Sequence, residues 1–351
     1  MRSGDKGWRM TGAPSVLLGG SGFVGSALAR VLARRGTAVR IADIRPSAAL
    51  PQHWVSTDVR DPHAVARAIA DAGTLFLLAA EHGLEPRPRL QFEEVNVGGA
   101  HAVVVAARRT GLRRIVFTST VAVYGLPAST VTEDSPCRPQ DDYGRTKLAA
   151  EQILRGWAAE DPSRSLSIIR PTVVFGPGVR GRLRSLFHQM ALPDFTPVGE
   201  GENRKSFADV DNLAAFHAHL EHREPGTHLF NYADGPDLTM AELATLIRSA
   251  LDLGPSRPAR ARRSALVRAF ARQLIARVGG PAPEWTVSQV QRFCADSRFL
   301  AERVADTGFV APLSLTDAVV RYARSDLRWA ARSIAEGASL TSSPAGDVPA
   351  A

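Results

Sequence analysis

Short apolar runs and amphipathic stretches take turns along the first half of the chain. Ser15-Val16-Leu17-Leu18 runs apolar without polar alternation, and a 3.6-period pattern (Ala27, Leu28, Val31, Leu32) follows it. The first fits a strand covered on both faces, and the second fits a helix laid on it. The order then repeats. Strands are expected at Val39–Asp43, 54–61, 74–80 and from Arg114 onward, with helices at 63–72 and 95–108. Such alternation predicts an α/β fold with a doubly wound parallel sheet. Past Gly178 the alternation lapses and the chain becomes Arg- and Pro-rich, as a smaller C-terminal substrate-binding lobe would be. The expected layout is a flexible leader at 1–12, a main domain at 13–178 to which 205–222 returns, a lobe over most of 179–330, and a disordered tail at 331–351.

The junction of the first strand and helix carries Gly19-Gly20-Ser21-Gly22-Phe23-Val24-Gly25. A strand, a glycine turn and a helix start form a cradle for a diphosphate. Glycines admit close backbone approach, and the helix N-terminus offers free N–H groups. Asp43 closes the second strand about twenty residues on, where an acid receives ribose hydroxyls and repels a 2′-phosphate. Arg45 pulls the other way, since an Arg there accepts that phosphate. NAD is therefore the expected cofactor, with NADP the lesser alternative.

Tyr143 and Lys147 stand four apart, which on a helix places them on one face. An ammonium beside a phenol favours the phenolate and lowers its pKa from about 10. Such a pair moves a proton at a carbinol near neutral pH. Thr118-Ser119-Thr120 closes the strand that begins at Arg114, so its hydroxyls fall where open α/β sheets bind ligands. Glu81 and His82 lie past the end of another strand, where substrate contact, capping and a solvated role are all open.

Composition adds few constraints. The 351 residues are 44% hydrophobic and 22% charged, ordinary for a soluble globular protein. Cys137 and Cys294 are the only cysteines, which fits a reducing cytoplasm and argues against a disulfide framework. No metal site is expected. Much of the net +8 charge falls in the Arg-rich stretch 257–277 without a nucleic-acid motif, so no nucleic-acid partner is expected. Within it, 264–278 reads as a basic amphipathic helix. Such a helix either lies on an anionic membrane surface or packs on the smaller lobe, and packing is the expectation here.

Together, Gly19 to Gly25, Asp43, Asp58-Val59, Leu78-Ala79-Ala80, Asn96, Thr120 to Gly125, Tyr143 with Lys147, and Arg170-Pro171 to Gly176-Pro177 resemble the extended short-chain dehydrogenases/reductases. The closer likeness is to their NAD-dependent epimerase/dehydratase group, which acts largely on nucleotide sugars. The resemblance implies a Rossmann-type sheet, a homodimer and a nucleotide-sugar substrate. It makes Tyr143 the acid/base, Lys147 its activator and nicotinamide-ribose ligand, and Thr120 the group that orients the substrate hydroxyl. At the cofactor it implies Gly19, Ser21, Gly22, Phe23, Val24, Gly25, Asp43, Arg45, Asp58, Val59, Ala79, Ala80, Lys147 and Pro171. Toward substrate it implies Asn96 and, at the phosphates, Lys205 with Arg204 beside it. Glu81, by its place past a strand end, and Arg180, as a charge for the phosphates, are further candidates, although the run of Arg180, Arg182 and Arg184 also fits a solvated face.

Departures from the family pattern narrow the chemistry. Val121 and Ala122 stand where dehydratases of the family carry Asp and Glu. Val173 replaces an Asn that touches the nucleotide diphosphate in many members, and Asn212 replaces a usual Asp. Dehydration, decarboxylation and C3/C5 epimerisation are not expected. A nucleotide-sugar 4-epimerase is, with a 4-ketoreductase or carbinol dehydrogenase as one alternative and a catalytically silent NAD-binding sensor as another.

Overall fold

The computed structural model describes residues 12–82, 88–126, 130–192, 195, 201–255 and 296–328. The leader, the 264–278 stretch and the tail read from the sequence lie outside the described residues, apart from Gly12.

In chain order the elements are β1 (Ser15–Leu18), α1 (Phe23–Arg34), β2 (Val39–Asp43), β3 (Trp54–Ser56), α2 (Pro62–Ala68), β4 (Thr74–Leu77) and α3 (Arg89–Phe92). A π-helical turn at Glu93–Gly98 joins α3 to α4 (Gly99–Thr110). Next come β5 (Arg114–Thr118), α5 (Asp142–Ala159), β6 (Ser165–Pro171), β7 (Val173–Phe175), α6 (Gly181–Met190), β8 (Arg204–Asp209) and α7 (Val210–His219). The chain continues through β9 (Gly226–Tyr232), β10 (Asp234–Thr239), α8 (Met240–Ala250) and α9 (Leu315–Asp326).

Seven strands form one sheet in the order β3-β2-β1-β4-β5-β6-β9. Their pairings are parallel: Ser15 lies opposite Val39 on one side and opposite Thr74 on the other. The unbroken apolar strands have a direct cause. Successive side chains point to opposite faces, and both faces are covered. Val16 and Leu18 join Leu75, Leu77, Ile115 and Phe117 in a core under α2, α4 and α5. Leu17 joins Ile41, Phe76 and Val116 in a second core under α1 and α7. Because β2 and β4 flank β1, the strand order reverses at β1, and the crevice past the carboxyl ends of β1 and β4 is where such sheets take ligands.

Several elements are shorter than the sequence pattern implies. The strand expected over 54–61 stops at Ser56 because aspartates take over the backbone donors. Asp58 Oδ1 accepts from Arg60 N at 2.9 Å, and Asp61 Oδ1 caps α2 by accepting from His63 N at 2.8 Å. The helix expected over 63–72 runs only from Pro62 to Ala68. The strand expected over 74–80 ends at Leu77, where Leu78 N and Ala79 N both turn onto the Leu18 carbonyl at 2.8 Å. The helix expected over 95–108 begins in the π-helical turn.

The chain forms two compact units. The first holds the described residues of Met1–Val174, Ser206–Gly235 and Ser297–Leu313, so the return to the sheet reaches beyond the expected 205–222. The second holds those of Phe175–Lys205, Pro236–Asp296 and Ser314–Ala351. In the second, Phe175, Phe187 and Tyr322 pack edge-on and tilted, with ring centroids 5.2 to 6.2 Å apart. The capping box at Thr239 and Glu242 opens α8. Among the described residues, no helix is long and apolar enough to cross a membrane.

Candidate active site

A cavity of about 630 Å³ opens at the carboxyl ends of β1, β4 and β5, entirely within the first unit. One end is lined by Gly19, Gly22, Phe23, Val24, Gly25, Asp43, Arg45, Asp58 and Val59, the other by Thr118, Ser119, Thr120, Tyr143, Lys147 and Pro171. Ala79, Ala80, Glu81 and His82 line it between them in sequence.

The glycine turn is packed closely against the chain's own backbone. Gly19 sits at φ +88°, and a Cβ there would stand 2.3 Å from Ala79 N. A Cβ on Gly25 would stand 2.6 Å from the Gly20 Cα, so that glycine lets α1 start directly against the turn. The start of α1 has no side-chain cap, which leaves its first N–H groups available to an anion. Asp43, buried at the tip of β2, accepts from Ser21 N at 3.0 Å and from Arg45 N at 2.9 Å. Ser21, expected at the cofactor, is occupied within the chain, since its hydroxyl also donates to the Arg45 carbonyl at 2.8 Å. Asp58 pairs with Arg60, whose guanidinium holds the carboxyl below the usual carboxylate range.

At the other end, α5 is capped by Asp141, which accepts from Gly144 N at 2.8 Å. That cap fixes the first turn, so half-buried Tyr143 and buried Lys147 share a face. Thr120 caps the turn after β5, accepting from Ala122 N at 3.1 Å, and its hydroxyl bonds the Tyr143 phenol. The Lys147 ammonium lies 4.1 Å from the Phe117 ring centroid.

One sequence expectation is corrected here. Burial pushes the Tyr143 phenol up to about 12, against a smaller downward pull from Thr120. Burial likewise pushes Lys147 down to about 7, opposed by the charge of Glu151. Desolvation of both partners outweighs the pairing that the spacing alone suggests. A stability test follows. The folded chain gives up the Lys147 proton at a lower pH than the unfolded chain does, so between about 7 and 10.5 the unfolded state binds more protons. Stability of the cofactor-free protein is expected to rise with pH across that window. Urea midpoints at both ends should show the rise in the wild type and a smaller one in Lys147→Met.

Of the residues expected at substrate, Glu81 and Asn96 belong to the first unit. Glu81 lines the cavity and accepts from Gln91 at 3.2 Å. Asn96 instead braces the wall. Buried at the π-helical turn, its amide oxygen accepts from Glu81 N at 2.8 Å, and its amide nitrogen reaches the Glu81 carbonyl and the Thr146 hydroxyl. Arg180, Arg204 and Lys205 belong to the second unit and are not among the lining residues. Arg204 donates to the Asp237 carbonyl at 2.8 Å and lies 3.6 Å from Glu242. Asn212 exchanges hydrogen bonds with the Leu313 backbone at 2.8 and 3.0 Å, which gives the Asp-to-Asn departure a structural reason.

Sequence reasoning missed two buried polar groups behind the cavity. Thr118 pairs with His217 at 2.7 Å. Burial pushes His217 down to about 4, and its Nδ1 meets the Leu213 carbonyl at 2.8 Å. The ring is therefore neutral with Nδ1 as donor, and Nε2 accepts from Thr118. The second group is a bidentate pair of Glu151 with Arg170. Its sequence signal was available: Glu151 is four residues beyond Lys147, on the same helical face.

This geometry defines a dinucleotide-dependent enzyme of the Rossmann class, with a phenol, an ammonium and a hydroxyl at the reacting end. The sequence profile of the NAD dependent epimerase/dehydratase family matches residues 15–233, and the chain belongs to that family. An Escherichia coli O157:H7 relative, N-acetyl-alpha-D-glucosaminyl-diphospho-ditrans,octacis-undecaprenol 4-epimerase, is 35% identical over 308 residues, covering 87% of this chain and 93% of its own. The Vibrio cholerae UDP-glucose 4-epimerase is 32% identical over 48% of this chain and 52% of its own. Among solved structures, UDP-glucose 4-epimerase from Brucella ovis in complex with NAD shares the fold at a TM-score of 0.70 and 21% identity, covering 90% of this chain and 98% of its own.

Proposed function

We propose that this NAD-dependent enzyme is a 4-epimerase acting on a sugar linked through a diphosphate. One observation supports this above others. A single cavity holds the glycine cradle with Asp43 at one end and Thr120, Tyr143 and Lys147 at the other, while Val121 and Ala122 follow Thr120 with hydrocarbon alone. That set suffices for hydride transfer with one acid/base and lacks the adjacent acids needed to expel water.

Gly19, Gly22 and Gly25 would hold the cofactor diphosphate, Asp43 the adenosine ribose, and Lys147 the ribose at the reacting end. Bound NAD supplies the hydride acceptor and, when oxidised, a positive charge at that end. Thr120 orients the substrate's C4 hydroxyl, and Tyr143 as phenolate takes its proton while the C4 hydride leaves. The 4-keto sugar then presents its other face. Tyr143 returns the proton to oxygen and the hydride returns to carbon, so no net redox change remains. The Thr120 hydroxyl is the chain's own group that draws the phenol down against desolvation.

Asp43→Asn tests the cofactor end. One amide oxygen cannot replace a carboxylate that accepts from two backbone N–H groups and also receives a ribose. NAD affinity is expected to fall about tenfold or more, with weaker discrimination against NADP, both read by calorimetric titration.

A second reading concerns the carrier. The E. coli relative is named for an undecaprenol-linked substrate and matches this chain almost end to end. The Arg-rich 257–277 stretch would suit an anionic membrane surface. Incubating the protein and NAD with UDP-sugars and, separately, with undecaprenol diphospho-sugars in detergent decides between carriers. The 4-epimer without net NADH is the expected product. Stoichiometric NADH would mark a dehydrogenase, and no turnover of any substrate would favour a sensor.

A further inference from the structure

Nothing in the hydride transfer uses Glu151, yet few groups in the chain are held as firmly. It lies on α5 one turn beyond Lys147, on the same face, and the two side chains are almost wholly buried. Arg170 Nε donates to Glu151 Oε1 at 2.9 Å and Arg170 Nη2 donates to Oε2 at 2.6 Å. The Ser119 hydroxyl donates to Oε1 at 2.5 Å. Arg170 is fixed in turn: its Nη1 donates to the Tyr124 hydroxyl at 2.8 Å, which donates to Asn231 Oδ1 at 2.8 Å.

A buried ion pair is a poor device for stability alone, because desolvation offsets most of its attraction. Here its anion sits on the helix face that also carries the buried ammonium, one turn away. Lys147 meets the Phe117 ring from β5, with Ser119 just beyond that strand. Tyr143 and Glu151 share its face of α5, and Arg170 stands behind Glu151 on β6 beside Cys137. Glu151 is the charge that acts on Lys147 against burial.

We propose that Glu151, clamped by Arg170 and Ser119, is a positioning residue that keeps Lys147 an ammonium at the working pH and so acts on Tyr143 only through Lys147. This rests on the hydride-transfer reading of the site. The clamp matters because a free carboxylate would swing away. Arg170 and Ser119 prevent this, holding both carboxylate oxygens in place.

The test exploits composition. Lys6, Lys147 and Lys205 are the chain's only lysines, so selective ¹³C-lysine labelling gives three side-chain signals, and a Lys147→Met sample assigns the one of interest. In the full-length protein, Glu151→Gln is expected to lower the Lys147 titration midpoint by about one to three pH units. The alkaline limb of its kcat profile should move the same way. Glu151→Asp, which keeps the charge, should restore most of both. If Glu151→Gln does not fold, Glu151→Gln with Arg170→Gln removes both charges, and the midpoint should fall in the same direction by a smaller amount, since the lost guanidinium offsets part of the lost carboxylate. An unmoved Lys147 midpoint overturns the proposal, as does a moved midpoint with an unmoved kcat profile. The NMR titration needs no substrate, so it stands even if the 4-epimerase reading fails.

Discussion

Tyr143→Phe is expected to lower kcat by about 10²- to 10⁴-fold, the range for loss of a positioned acid/base. The substitution deletes one oxygen and keeps a ring of the same shape in the same half-buried place. Its hydroxyl has Thr120 as a neighbour, and Thr120 retains its bond to Ala122 N. Neither the cradle at Gly19 nor Asp43 touches that oxygen, so NAD affinity and thermal midpoint should change little. A loss in kcat with both of these preserved assigns the proton transfer to Tyr143. Undiminished turnover would remove Tyr143 from the chemistry and, with it, the reason for reading this cavity as the active site.

The second large effect is on stability. Arg170→Ala leaves the Glu151 carboxylate buried with only Ser119 as a donor, and deprives Tyr124 of the bond it accepts. Removing one partner of a buried pair costs about 3–5 kcal/mol, because the other charge stays desolvated. Urea unfolding at constant slope should show that loss as a lowered midpoint. Replacing Glu151 and Arg170 together by neutral groups should cost much less. Equal losses for the single and double variants would mean that the pair acts through packing rather than through charge.

The parts of the molecule that were legible in the sequence are the local ones. β1, the glycine turn and α1 follow each other without interruption, and each declares itself by period or by residue type. Tyr143 and Lys147 were legible because a helix converts a spacing of four into a shared face. Strand ends were not. Residues 57–61 looked like strand until the Asp58 and Asp61 side chains took the backbone donors.

Asn96 illustrates a deeper limit. Its partners are the backbone of Glu81, fifteen positions away, and Thr146, fifty away, and no local pattern encodes either. The Tyr143 pKa failed for the same reason. Spacing shows that an ammonium is near, whereas burial of both groups is set by β5 and by the segment after it. In the second unit, the arginines read as phosphate ligands carried no periodic signal, and for Arg204 the structure supplies other partners.

The central claim is that hydride leaves and returns to the same carbon within one cavity while Tyr143 carries the proton. A diphosphate-linked sugar bearing deuterium at C4 tests it directly, on whichever carrier turns over. The 4-epimer should form with its deuterium retained at C4 and with no NADH released. Product that has lost the deuterium to solvent would contradict hydride return and point to proton abstraction at carbon instead.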